Sequence, residues 1–176
     1  TDAGRSTVHT GGAVVVTSGE GTATSSGVVL IRSSNSGVAG VSGSLLFSSG
    51  TSKRGNSGRV HMGTGAATAG RGGAVVVTVG SGTSGSGGLV QAHAGRSTVH
   101  TGGEVHVSSG EGTATSSGAI TIRSVNAGAA GTSGYLSFSS GSSVTGNSGY
   151  IHMGTGVATA GRGGMVLISV GSGTSS

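Results

Sequence analysis

The stretch GRSTVHTGGAVVVTSGEGTATSSG at positions 4–27 contains each element that the rest of the chain repeats. It returns as GRSTVHTGGEVHVSSGEGTATSSG at positions 95–118, an offset of 91 residues. Within each unit of 91 residues, a shorter pattern recurs every 15 residues, with one segment of 16. Each segment opens with glycine, continues into a short apolar stretch and ends in small residues. Self-similarity at a fixed period is typical of a stacked repeat architecture.

The apolar stretches predict the fold. The third and fifth positions of every segment are apolar, whereas the fourth is mixed, and this alternation is typical of a β-strand with one buried face. We therefore predict an all-β fold, a parallel β-solenoid (β-helix) of about 12 coils stacked about 4.8 Å apart. The segments open at Gly12, Gly27, Gly43, Gly58, Gly73, Gly88, Gly103, Gly118, Gly134, Gly149 and Gly164.

The repeat also predicts the domain organisation. We expect one continuous solenoid over residues 1–176, with internal repeats 4–94 and 95–176 and 15–16 residues per coil. The 16-residue segments, Gly27–Ser42 and Gly118–Ser133, occupy equivalent places in the two repeats, which indicates a bulge or a longer corner. Because the pattern runs in phase to both ends without a distinct capping coil, we expect the chain to be a fragment of a longer array.

The amino-acid composition limits which other classes of protein the chain could belong to. With 41 glycines among 176 residues, a flexible Gly/Ser linker is the competing interpretation, which the regular apolar columns disfavour. Proline is absent, as expected where nearly every backbone N–H is committed to a neighbouring coil, and glycine does not recur every third residue as collagen requires. The longest apolar runs, AVVV and VVLI, are too short to span a membrane, so no membrane insertion is expected.

The charged and catalytic residue types are sparse. The net charge of +5 is not clustered with aromatic side chains, so we expect no nucleic-acid partner. The only aspartate is Asp2, near a terminus, and glutamate is rare, so acids to orient a histidine in a hydrolytic triad are scarce, and we predict no enzyme and no cofactor. His93 and His106 are the nearest approach to a ligand pair, and we interpret them as surface histidines rather than as a metal site.

Two charged pairs are expected to fix the register of the coils. Arg5 and Glu20 are 15 residues apart, and Arg96 and Glu111 repeat the arrangement in the second unit. In stacked coils such residues are neighbours, and although exposed ion pairs contribute only about 0–1 kcal/mol, a slip by one coil would separate them.

The outward-facing second and fourth positions are unusually apolar in the first unit and predict an interface, and the stripe continues in a more polar form in the second unit. Strands that are apolar on both faces usually have both faces covered, so we expect lateral packing of one sheet on another. The residues of this outer stripe are Val15, Val28, Leu30, Leu46, Val76, Leu89, Tyr135, Tyr150, Met165 and Leu167.

A column of threonines offers an alternative. The eleventh position carries threonine in many segments, and a flat threonine array is the device of ice-binding β-solenoids. The simpler interpretation of this column is that threonine favours β-strands and that its side chains stack well on one another. The column comprises Thr7, Thr22, Thr68, Thr83, Thr98, Thr113, Thr159 and Thr174.

Four sequence stretches resemble those of a known class of repeat proteins: GVSGSLLFSSG (40–50), GNSG (55–58), ATAGRGG (67–73) and VGSGTSGSGG (79–88). The chain resembles giant Gly/Ser/Thr-rich tandem-repeat extracellular proteins of marine microalgae such as diatoms, of β-solenoid type. The resemblance implies a secreted or surface-associated repeat protein and carries no site residues.

Together these observations predict a structural protein, located outside the cell or at its surface. It would form a fibre, sheath or appendage by stacking and lateral packing of solenoids, and its main partner would be itself. The alternative is an ice-binding or polysaccharide-binding adhesin.

Overall fold

The computed structural model describes residues 3–173. Within that range the backbone forms neither an α-helix nor a β-strand, and extended apolar stretches alternate with bends. The chain divides into two units, Thr1–Val90 and Gln91–Ser176. The division lies four residues before the repeat boundary expected at residue 95.

The bends recur with the period of the sequence. In each 15-residue segment the chain bends at the eleventh to thirteenth positions, where small residues predominate. The bends of the first unit are at 7–9, 22–24, 53–55, 68–70 and 83–85, and those of the second are at 98–100, 113–115, 144–146 and 159–161. Each 15-residue repeat is therefore one extended stretch followed by one bent corner.

The two 16-residue segments differ in the shape of this corner. In each of them a four-residue turn stands where the other segments bend. The N–H of Gly40 donates to the carbonyl of Gly37 at 3.4 Å, and the N–H of Gly131 donates to that of Gly128 at 3.3 Å. The extra residue is thus accommodated in a longer corner, at the same place in both units.

We define a corner loop as the backbone from the seventh residue of one segment to the opening glycine of the next. In most corner loops a hydrogen bond joins the two ends. In four corner loops the opening glycine donates its N–H to the carbonyl eight residues earlier. The pairs are Gly12 to Gly4 at 2.9 Å, Gly27 to Gly19 at 2.9 Å, Gly103 to Gly95 at 2.8 Å and Gly118 to Gly110 at 2.9 Å. A corner loop with adjoining ends resembles a small Ω-loop.

Four other corner loops are closed by a side chain at the seventh position. The hydroxyl group donates to the carbonyl of the next opening glycine, at 2.7 Å from Ser33 and at 2.8 Å from Ser49. Thr64 and Thr155 make the equivalent bonds at 3.3 and 3.4 Å. A Cβ atom on the glycines that accept these bonds would lie 3.0–3.4 Å from the seventh side chain. The opening glycines therefore permit the close approach that shuts these loops.

The predicted parallel β-solenoid, or β-helix, is wrong. No strand occurs in residues 3–173, and no residue there is buried. The accessible surface is 17765 Å², whereas a folded monomer of this mass exposes about 7,500 Å² and an unfolded chain about 24,000 Å². The chain thus has a repeating local structure without the enclosed core that stacked coils would form.

The physical reason lies in what each segment contributes to a core. Full burial of a Val or Ile side chain contributes about 1.5–3 kcal/mol, and each segment supplies two main apolar residues for this purpose. Fixing the backbone costs about 1–2 kcal/mol for every residue, and glycine loses more conformational freedom than any other residue. Within residues 3–173, the backbone hydrogen bonds join residues no more than eight apart. None of them therefore joins equivalent positions of successive segments, as the bonds between stacked coils would.

Candidate functional site

The extended apolar stretches are the main feature that these segments present. Their third-position side chains are 48–62% exposed, whereas the outer-stripe side chains are 73–89% exposed. The third position is therefore the least exposed, whereas the large fifth-position side chains are 57–82% exposed and overlap the outer stripe, so neither face is enclosed. Most stretches therefore offer apolar surface on both sides, whereas the outer side carries Arg59 and His61 in one stretch and Glu104 and His106 in another.

All ten predicted interface residues lie on the surface. Their exposure is highest for the aromatic side chains, at 89% for Tyr135 and 88% for Tyr150. The least exposed, Leu89, still has 73% of its surface accessible. The structure therefore leaves this set free for contact with another molecule, and its role as an interface stays a prediction.

One apolar cleft lies in the first unit. It has a volume of about 280 Å³ and is lined by Phe47, Val60, His61 and Met62. Phe47 and Met62 hold the fifth positions of successive segments, so two successive apolar stretches approach one another here. Sites for drug-sized ligands span about 300–1,000 Å³, so this cleft suits an apolar side chain better than a small-molecule ligand.

The histidine of the cleft folds back on its own chain. A Cβ atom on Gly63 would lie 3.3 Å from Nε2 of His61, and one on Gly154 would lie 3.0 Å from Cε1 of His152. Both histidines belong to the sequence HMGTG, which each unit contains once. Glycine two residues after the histidine therefore makes room for the imidazole ring against the backbone.

The corner loops contain glycines whose role the column pattern alone did not identify. A Cβ atom on Gly21 would collide with the carbonyl oxygen of Ser25 and would lie 2.7 Å from that of Thr24. Gly112 is in the same position in the second unit, against Ser116 and at 2.9 Å from the carbonyl oxygen of Thr115. The motif EGTATSSG, present once in each unit, is the sequence signal for this tight loop.

Serine hydroxyls organise other corners. Ser6 Oγ accepts the N–H of His9 at 2.9 Å and that of Val8 at 3.4 Å. Ser97 Oγ accepts the N–H of His100 and of Val99 at the same distances. Such serine turns offer the backbone a local alternative to pairing with a neighbouring strand.

The predicted charge pairs are all on the surface. Arg5, Glu20, Arg96 and Glu111 are exposed. Their expected proximity depended on hydrogen-bonded coils fifteen residues apart, and residues 3–173 form no strand and no such backbone bonds. The pairing itself stays a prediction without this structural support.

The threonine column lies in the bends. The seven threonines of the column within residues 3–173 all stand at bend positions, and Thr174 lies outside the described residues. The ice-binding alternative stays a prediction.

In residues 3–173 no group of three or more His, Cys, Asp or Glu side chains comes together to hold a metal ion. Asp2, the single aspartate, lies outside this range. The candidate site is therefore an apolar contact surface, formed by the outer stripe and the cleft.

No helix in the described part of the chain is long and apolar enough to cross a membrane.

Comparison with protein-family models, with curated proteins and with solved structures finds no match for this chain.

Proposed function

We propose that this chain is a structural protein whose copies associate through their exposed apolar stretches into an extracellular or cell-surface fibre, sheath or appendage. The observation that carries the proposal is the outer stripe, whose ten side chains are 73–89% exposed. In the stretch 28–31, four consecutive apolar side chains are 48–87% exposed, and contiguous exposed apolar surface of this kind marks a protein–protein contact site in soluble proteins. Outer-stripe residues occur in eight of the eleven segments, so one chain offers several such contact sites.

The energetics favour association over an isolated chain. Each exposed Val or Leu side chain contributes about 1.5–3 kcal/mol when it is fully removed from water. Association also orders the chains and costs translational freedom, so a single stretch is insufficient. Repetition along the chain changes this balance, because once one stretch is bound the next meets its partner at a high effective concentration.

The corner loops support the same function. They are closed by bonds within each corner loop and leave the extended stretches between them accessible. Because an extended stretch has backbone N–H and C=O groups free for pairing, association of two copies can satisfy these groups and cover the apolar side chains together. The pairing proposed here is between chains and differs from the internal stacking of a solenoid.

Sedimentation velocity over a range of concentrations tests the proposal. We expect the wild-type chain to form larger species as concentration rises. The variant Val28→Ser/Leu30→Ser should require at least about tenfold more protein, because a lost contribution of 1.4 kcal/mol corresponds to a factor of ten.

The segment Gly27–Ser42 also supplies the control. Val38→Ser/Val41→Ser removes two apolar side chains that are more exposed than Val28 and Leu30 but belong to the corner loop, and it should leave association unchanged. A wild-type chain that stays monomeric at all concentrations, or equal effects of the two double variants, would refute the proposal.

A further inference from the structure

Two charged residues stand out within the apolar stretches. Among the second to fifth positions of all eleven stretches, Arg59 and Glu104 are the only charged side chains. Both occupy the second position, and both are exposed. Their charges are opposite, and they lie 45 residues apart, which is three segments of 15.

The residues that follow them match as well. The first stretch reads Arg-Val-His-Met at 59–62 and the second reads Glu-Val-His-Val at 104–107. When the two stretches are laid side by side in the parallel direction, Arg59 faces Glu104, Val60 faces Val105 and Met62 faces Val107. Opposite charges and apolar pairs that face each other across neighbouring strands stabilise the pairing.

The antiparallel direction does not give this match. If Arg59 is placed opposite Glu104 in antiparallel order, Val60 and His61 face Gly103 and Gly102, and the apolar contacts are lost. If the histidines are placed opposite one another, the two charges are separated. Only the parallel register satisfies the charged and the apolar positions together.

The surface around Arg59 is open to a second chain. The apolar cleft lined by Phe47, Val60, His61 and Met62 lies beside this stretch. Val60 and Met62 are 55% and 75% exposed, and Val105 and Val107 are 59% and 69% exposed, so both stretches have apolar surface left to cover.

We propose that residues 59–62 of one copy pair in parallel with residues 104–107 of a second copy, with Arg59 facing Glu104. This inference rests on the proposed self-association and names the contact that sets its register. Successive copies are then offset by three segments, so each chain overlaps the next and the assembly continues lengthwise.

Charge reversal tests the contact between copies. Arg59→Glu and Glu104→Arg, each alone, face a like charge and should raise the protein concentration needed for association about threefold or more. An equimolar mixture of the two variants should regain association, because the introduced glutamate of one copy then faces the introduced arginine of the other. The double variant Arg59→Glu/Glu104→Arg should associate like the wild type.

Matched controls come from the corners. Arg71→Glu and Glu111→Arg make the same changes in net charge at exposed corner positions, and they should leave association unchanged. Rescue in the mixture should weaken in 1 M salt, where the screening length falls to about 3 Å.

The outcomes separate the two proposals. A wild type that associates while the charge-reversed chains behave like their corner controls, or while their mixture shows no rescue, overturns the Arg59–Glu104 register and leaves the proposed self-association intact. Rescue by the double variant without rescue in the mixture indicates a contact within one chain and overturns the pairing between copies. A wild type that does not associate overturns both.

Discussion

Replacing Gly21 with alanine places a methyl group inside a corner loop that has no room for it. The added carbon would overlap the carbonyl oxygen of Ser25 and would lie 2.7 Å from that of Thr24. Both obstacles are backbone atoms, so the loop itself must open. The bond that holds the loop shut, from the N–H of Gly27 to the carbonyl of Gly19 at 2.9 Å, is strained by this movement.

The expected magnitude follows from this one bond. A hydrogen bond of this kind contributes about 0.5–1.5 kcal/mol net, which corresponds to roughly a 2- to 12-fold change in the closed population. Amide hydrogen exchange measured by NMR at Gly27 reports this population directly. Exchange at Gly27 should accelerate by that factor in Gly21→Ala, and exchange at Gly118 should do so in Gly112→Ala.

Gly19→Ala provides the control for this prediction. A Cβ atom at residue 19 would meet nothing within 4 Å, and the carbonyl that accepts the bond remains. Exchange at Gly27 should therefore stay as in the wild type. If the two alanine variants had the same effect on Gly27, or if neither changed its exchange, the reasoning about the closed corner loop would be refuted.

Substitutions in three other kinds of corner have expected outcomes as well. Gly55 has φ of +95°, a conformation that costs a residue with a side chain about 1–2 kcal/mol, so Gly55→Ala should perturb the chemical shifts of its loop. Gly146→Ala, at the equivalent position without a positive φ, should not perturb its loop, and equal perturbations would contradict this reasoning. Ser6→Ala removes the acceptor of the His9 N–H and should accelerate amide hydrogen exchange at His9 about 2- to 12-fold, as Ser97→Ala should at His100. Unchanged exchange would show that these hydrogen bonds do not hold the bends. Gly88→Ala places a methyl group against Cγ1 of Val79 and should shift the Val79 methyl resonances. The double variant Val79→Ala/Gly88→Ala should restore the loop, and a loop that stays perturbed in the double variant would argue against this contact.

The period of the chain could be predicted from the sequence, because it depends only on local residue order. The opening glycines and the small residues at the eleventh to thirteenth positions recur every 15 or 16 residues, and the backbone bends recur with them. The lower exposure of the third position also follows from the alternation, although the fifth position does not share it. Both properties are set within one segment.

The stacking of segments could not be predicted in the same way. It depends on a balance between burial and chain entropy that alternation does not measure. Val14 and Val29 fit a core column by type, yet they remain 56% and 48% exposed. The abundance of glycine, serine and threonine was the opposing signal, since such chains bury too little apolar surface to offset the ordering of the backbone.

The candidate site shows the same division. The outer stripe was found from its composition and lies on the surface. The tight loops at Gly21 and Gly112 were not found, because a column of small residues does not distinguish a glycine that is required from one that is tolerated. The approach of Phe47 to Met62 has a sequence signal in their fifteen-residue spacing, but the open cleft between them has none.

Amide exchange at Val14, Val29 and Leu45, compared between dilute monomer and assembled material, tests most directly whether the apolar stretches are covered only by other copies. We expect these amides to exchange freely in the monomer and to be protected in the assembly, with the Gly27 amide protected in both. Protection of all three in the dilute monomer would show that the segments pair within one chain, and free exchange in the assembly would show that the stretches are not the contact surface.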